Sequence, residues 1–215
     1  NLAVSFALLG KKVALVGLDI RKPRLAELFE IDDRRHGITN LLTLENPTRQ
    51  DIKEQIVPSG VNNNLELLMA GPVPPNPAEL LTYPSLDKIF AILREDYDYI
   101  LIDTAPVGLV TDTLQIGRVA DVSVVLCRAD YTAKESFGLI NSLSAEKKLP
   151  NMCIAINGID LSKKKYGYYY GYGKYGKYGR YARYGGSYGY GRYGRYGGTY
   201  GHYASNYGHG YGSYT

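Results

Sequence analysis

Five short apolar runs recur along the chain: VALVGLD (13 to 19), LELLMA (65 to 70), YILID (99 to 103), VSVVLC (122 to 127) and CIAIN (153 to 157). Helical patterns separate them. That alternation is expected of an α/β domain whose mostly parallel sheet carries helices on both faces, because strands buried on both sides lose the in-out alternation of a half-exposed sheet. Pro84 is placed to open a helix whose Leu86, Ile89, Phe90 and Leu93 follow a 3.6-residue period. Thr132 and Glu135 have the spacing of a capping box ahead of Phe137, Ile140 and Leu143. NLAVSFALLG reads as the last turns of a helix, with Leu2, Phe6 and Leu9 on one face and Gly10 as its stop. The chain is therefore expected to begin in mid-structure.

From Tyr166 to Thr215 this pattern ends. Eighteen of the 50 residues are Tyr, 16 are Gly and none is acidic. Phenols separated by Gly, Lys and Arg have almost no aliphatic partners, so residues 163–215 are expected to form a disordered tail behind a single domain of residues 1–162. Such a row of hydroxyls serves as a substrate, an adhesive surface or both. Charge divides at the same place: 19 of the 25 Lys and Arg and all 21 acids precede Tyr166, for a net charge of −2, and the tail's six cations give +6. Those cations also help to keep an aromatic segment in solution.

Cys127 and Cys153 each lie within an apolar run, where packing in a buried strand accounts for them, and cysteine usage this sparse suits a reducing compartment. No run of 18 apolar residues and no signal peptide occurs, so this segment is expected neither to span a membrane nor to carry an export address.

In open α/β sheets ligands bind beyond the carboxyl ends of the strands. Two of these ends are acidic: GLDIRKP (17 to 23) puts Asp19 at one tip with Arg21 and Lys22 behind it, and ILIDTAP (100 to 106) puts Asp103 at another. A carboxylate after an apolar strand either caps the next helix or holds Mg²⁺ at a nucleotide. Two in one sheet, one of them followed by Arg-Lys-Pro, favour the metal. Arg128 follows the fourth run and Asn157 ends the fifth, and both are candidate nucleotide contacts; an amide can read an adenine edge, although it also suits an ordinary turn. MAGPVPPNPAELL (69 to 81) packs four prolines into six residues and makes a stiff connection, structural or site-shaping, before a helix starting at Glu79.

Together and in this order, GLDIRKP, GPVPPNPAELL, DYDYILIDTAP with Thr111-Asp112 after it, and a terminal tyrosine cluster resemble the bacterial tyrosine kinases (BY-kinases) of capsule and exopolysaccharide export. The resemblance spans essentially the whole chain. It implies a P-loop NTPase-like fold of the partition-ATPase type, ATP and Mg²⁺ as cofactors, and transfer of phosphate from Mg-ATP to tyrosine. The Asp19 segment would be the A-prime Walker motif and Asp103 the Walker B acid. Both would hold Mg²⁺; Arg21 would stabilise developing negative charge and Asp19 would accept the phenol proton. The acceptors would be Tyr166, Tyr168, Tyr169, Tyr170, Tyr172, Tyr175, Tyr178, Tyr181, Tyr184, Tyr188, Tyr190, Tyr193, Tyr196, Tyr200, Tyr203, Tyr207, Tyr211 and Tyr214.

Two departures matter. The family's A-prime motif has an aspartate where this chain has Gly17, and the glycine-rich phosphate loop would fall before Asn1. Residues 1–215 alone are accordingly expected not to catalyse. The implied partners are other copies of the chain, a membrane polysaccharide co-polymerase domain or activator fused upstream, and an opposing tyrosine phosphatase, at the cytoplasmic face of the bacterial inner membrane; nucleic acid is not expected. Two rival readings remain: a partition-type ATPase switch without kinase activity, and a Tyr/Arg/Gly-rich module for stacking or self-association.

Overall fold

Fifteen elements follow one another in the computed structural model, which describes residues 1–108 and 111–160: α1 (Leu2–Leu8), β1 (Val13–Gly17), α2 (Leu25–Leu28), α3 (Ile38–Leu42), α4 (Arg49–Gln55), β2 (Ile56–Pro58), β3 (Leu65–Leu68), α5 (Pro77–Leu80), α6 (Pro84–Asp96), β4 (Tyr99–Asp103), α7 (Asp112–Ile116), a 3-10 turn (Gly117–Val119), β5 (Val124–Arg128), α8 (Ser136–Ala145) and β6 (Cys153–Asn157). The expected tail, with all eighteen of its candidate acceptors, lies outside the described residues. The chain divides into two compact units, one from residues 1–121 with 147–150, the other from residues 122–146 and from 151 onward.

In the first unit the strand order is β2-β3-β1-β4. β1 is parallel to β3 and β4, and β2 runs antiparallel along the edge of β3. Both faces are covered, which is why the strand sequences are continuously apolar. On one face Ala14, Val16 and Leu68 pack with Ile38, Leu41 and Leu42 of α3 and with Leu86, Ile89, Phe90 and Leu93 of α6. On the other, Val13, Leu65 and Leu67 meet Ala3 and Ala7 of α1 and Leu25 and Ala26 of α2. α6 begins with Pro84 in its first turn, as its sequence predicts, and its four periodic apolar side chains are fully buried. Each of these contributes about 1.5–3 kcal/mol of transfer free energy.

Four local expectations are corrected. Gly10 does end α1, at φ 78°, but the buried face of that helix is Ala3 and Ala7 whereas Leu2 and Leu9 are exposed. Small side chains let the helix approach the sheet more closely than leucines would. Thr132 and Glu135 form no capping box: the Thr132 hydroxyl accepts the Arg128 N–H at 2.7 Å, and α8 starts later with Glu135 as an N-cap whose side chain makes no capping bond. A capping box does occur on α4, between Thr48 and Asp51. In the second unit β5 and β6 pair in parallel, and of the two cysteines Cys127 is buried while Cys153 is exposed. The helix expected from Glu79 begins earlier, at Pro77.

Candidate active site in the first unit

β1 and β4 are neighbours, and their register sets Gly17 opposite Asp103. The pairing continues beyond the strand end, with the N–H groups of Leu18 and Asp19 both donating to the Asp103 carbonyl at 2.8 and 3.1 Å. The two acidic tips singled out from sequence are thereby tied together through the backbone. Asp19 is 3% exposed, and its Oδ1 accepts the backbone N–H of Arg21 at 3.3 Å and of Lys22 at 3.1 Å. This turn orients the carboxylate.

Asp103 behaves differently. Desolvation by the surrounding protein, followed by the charge of Asp19, raises its pKa to about 6. Its residue surface is nonetheless exposed. Accessible area decides whether an ion can reach the carboxylate, so the raised pKa describes a crowded group that solvent can still enter. Two carboxylates that oppose each other's ionisation fit a divalent cation, and Mg²⁺ commonly takes only one or two protein carboxylates, with water and phosphate oxygens completing its shell. Among the described residues no cluster of three or more His, Cys, Asp or Glu is placed to hold a metal alone.

Arg21 stands beside this pair, but its guanidinium is engaged. Nε donates to Asp112 Oδ2 at 2.6 Å and Nη2 to Asp112 Oδ1 at 3.0 Å, with the Arg21 side chain 17% and that of Asp112 2% exposed. Asp112 opens α7, and the next residue, Thr113, donates its hydroxyl to the Ala105 carbonyl at 2.6 Å. The start of α7 is thus fastened to the loop leaving Asp103 and to the turn leaving Asp19. Thr111-Asp112 belongs to the sequence pattern, yet its spacing does not identify Asp112 as the fork partner of Arg21. Only the pairing of a buried acid with a nearby Arg could have suggested it.

A cleft beside the acids is lined by Gly17, Asp19, Arg24, Met69, Gly71 and Asp103. Gly17 has a packing reason to be glycine, since a Cβ there would come within 3.3 Å of the Ala70 nitrogen and 3.4 Å of Leu25 Cδ2. The proline-rich connection contributes to this wall through Gly71, whose φ of 82° favours glycine.

Arg128 and Asn157 are brought together in the second unit, as paired residues at the carboxyl ends of β5 and β6. Asn157 Oδ1 accepts the Gly158 N–H at 2.8 Å, the turn role its sequence allows, which leaves its amide N–H₂ as the donor it can offer a ligand. Among the described residues, no helix is long and apolar enough to cross a membrane.

Comparison with known proteins agrees with this arrangement. No protein-family model matches the chain. The tyrosine-protein kinase YwqD of Bacillus subtilis is 36% identical over 170 residues, covering 79% of this chain and 69% of YwqD. EpsB of Ralstonia nicotianae, whose name assigns it provisionally to the same kinases, is 32% identical over 177 residues; the match covers 81% of this chain but 22% of EpsB. Among solved structures, the VpsO kinase domain superposes with a TM-score of 0.64 at 28% identity, covering 74% of this chain and 75% of VpsO. The septum-site protein MinD of Pyrococcus horikoshii, solved with Mg-ADP, superposes with a TM-score of 0.54 at 18% identity over 70% of this chain and 59% of MinD, a likeness of fold alone. A two-layered cover on a mostly parallel sheet, acids joined at adjacent strand tips and sequence identity across more than two thirds of YwqD lead to one conclusion: the chain belongs to the bacterial tyrosine-protein kinases.

Proposed function

We propose that the intact protein transfers the γ-phosphoryl group of Mg-ATP to tyrosines of its own C-terminal cluster, Tyr166 to Tyr214, with residues 1–162 as the kinase domain and 163–215 as the tail. The observation that carries this reading is the joining of Asp19 and Asp103 at neighbouring strand tips in a chain of this family. Phosphoryl transfer asks chiefly for positioning and for neutralisation of charge on the transferred group. When bound, Mg²⁺ would supply that neutralisation at the phosphate oxygens. Asp19, held rigid by the Arg21 and Lys22 N–H groups, and the more accessible Asp103 are its proposed holders.

A carboxylate of this pair takes the proton of the attacking phenol. Asp19 is the residue proposed for that role. Arg21 acts from its fixed position against Asp112, where part of its charge is already balanced. Arg128 and Asn157 are proposed contacts to the nucleotide. MinD, of the same fold, was solved with Mg-ADP, which supports the choice of cofactor.

The biological setting is proposed from the sequence motifs: control of capsule or exopolysaccharide synthesis at the cytoplasmic face of the inner membrane, between copies of the chain and against a tyrosine phosphatase. EpsB is more than four times the length of its matched segment, which supports a kinase of this kind working beside a further domain such as a membrane co-polymerase. The deciding experiment is a phosphotyrosine blot of the full-length protein with ATP and Mg²⁺. Phosphotyrosine in the tail is expected. ATP hydrolysis without phosphotyrosine would instead support a partition-type switch.

A further inference from the structure

Four tyrosines lie among the described residues, and the charge beside each phenol differs. Tyr83 donates its hydroxyl to Glu79 Oε1 at 3.2 Å, and Tyr97 donates to Glu66 Oε2 at 2.6 Å. A phosphoryl group on either oxygen would set about −1.5 to −2 charges directly against a carboxylate. The ring of Tyr99 lies flat on Phe6, with centroids 4.2 Å apart, and is committed to that stack. Tyr131 is 52% exposed, and a cation stands beside it: the guanidinium carbon of Arg128 lies 5.3 Å from the ring centroid.

The turn that presents Tyr131 is firmly held. The N–H groups of Tyr131 and Thr132 donate to the Arg128 carbonyl at 3.2 and 2.9 Å, the Arg128 N–H donates to Thr132 Oγ1, and the Ala129 N–H donates to the Asn157 carbonyl at 2.8 Å. Asp130 makes the corner at φ 58°. An exposed phenol on a fixed corner, beside a guanidinium, combines access for a phosphoryl donor with a ready counter-ion for the product.

We infer that Tyr131 is a phosphoacceptor within the folded part of the chain, additional to the tail, and that its phosphate is captured by Arg128; the inference rests on the kinase activity proposed above. The phosphoryl donor is ATP. The bond between Tyr131 Oη and the γ-phosphorus forms as the bond from that phosphorus to the β,γ-bridging oxygen breaks. ADP leaves, and the phenol proton passes to a carboxylate base or to water. A guanidinium binds a phosphate dianion more strongly than a phenol face, because its fork meets two charged oxygens. Modification therefore draws Arg128 off the ring and away from the nucleotide contact proposed for it. Nucleotide affinity is expected to fall by about tenfold, the effect of losing one charge-assisted contact.

Trypsin cleaves after Arg128 and Lys134 and so releases residues 129–134, ADYTAK, whose single tyrosine is Tyr131, apart from the tail. The full-length protein is incubated with Mg-ATP, digested and followed by mass spectrometry, with Tyr131→Phe in parallel. Phosphate on ADYTAK is expected in the wild type, while the variant keeps phosphorylated tail peptides. Phosphorylated tail peptides beside an unmodified ADYTAK overturn the inference and leave the proposed function standing. Absence of phosphotyrosine everywhere overturns both. Affinity for ATP, measured before and after modification, is expected to fall about tenfold in the wild type alone; an equal fall in Tyr131→Phe would assign the effect to the tail and overturn capture by Arg128.

Discussion

Arg21 and Asp112, 91 residues apart, meet in a two-pronged ion pair with contacts of 2.6 and 3.0 Å. The pair joins the turn after Asp19 to the start of α7, so it braces the two loops that leave the acidic strand tips. Breaking a buried pair by removing one partner strands the other charge. Arg21 keeps 17% of its side chain exposed and can recover some hydration. Asp112→Ala is accordingly expected to cost about 2–3 kcal/mol in urea unfolding. Arg21→Met combined with Asp112→Leu should recover part of that loss, and strictly additive losses in the double variant would deny the coupling.

The pH dependence of stability should report Asp103. Its pKa rises from 3.8 to about 6 on folding, so the folded chain holds this proton more tightly than the unfolded chain does. The associated stabilisation is fully present below pH 3.8 and disappears as pH rises to about 6. Asp103→Asn lacks this loss. Its unfolding midpoint should gain on the wild type between those limits and run parallel above them. Parallel curves throughout would show that Asp103 titrates normally.

The same substitution should nearly abolish tyrosine phosphorylation by the full-length protein. Losing a metal-holding carboxylate removes several kcal/mol of transition-state stabilisation, about a hundredfold or more in rate. Initial rates of phosphotyrosine formation at saturating Mg-ATP provide the measurement, with circular dichroism to establish that the variant is folded. A wild-type rate would remove Asp103 from the mechanism.

Gly37 and Gly17 should respond very differently to alanine. A Cβ on Gly37 would stand 2.3 Å from the Gly71 nitrogen and 2.5 Å from the Met69 carbonyl oxygen, both backbone atoms, at the point where α3 docks on the end of β3. Gly37→Ala is expected to cost about 3 kcal/mol or more, whereas Gly17→Ala, whose contacts begin at 3.3 Å, should cost about 1 kcal/mol. Chemical denaturation of both variants checks the order, which would fail if Gly37→Ala were the milder change.

The strands and acidic tips could be read from sequence because both depend on short stretches of chain. All five apolar runs became strands, and Asp19 and Asp103 met because β1 and β4 are neighbours. β2 escaped notice: three residues ending in Pro58 carry too little pattern to mark an edge strand. Spacing suggested that Thr132 capped α8, but the hydroxyl competes locally for the Arg128 N–H, a choice fixed by turn geometry. The Arg21–Asp112 fork depends on where α7 lands, and no local rule supplies that.

The final prediction concerns the tail's charge, on the proposed reading of the tail as the kinase's own substrate. Six cations and no acids lie between Tyr166 and Thr215, and the preceding residues carry a net charge of −2. A basic tail is attracted to the acidic part of a neighbouring copy, and each phosphotyrosine adds roughly −1.5 to −2 charges. About three or four phosphates cancel the six cations, and every further one turns attraction into repulsion. Assemblies of the full-length protein should therefore dissociate as phosphorylation proceeds, with the transition set by the number of phosphates and not by which tyrosines carry them. Native mass spectrometry on variants with graded Tyr→Phe content measures both quantities together. If assemblies persist beyond about six phosphates per tail, where the tail's sign is already reversed, electrostatic attraction does not hold the copies together.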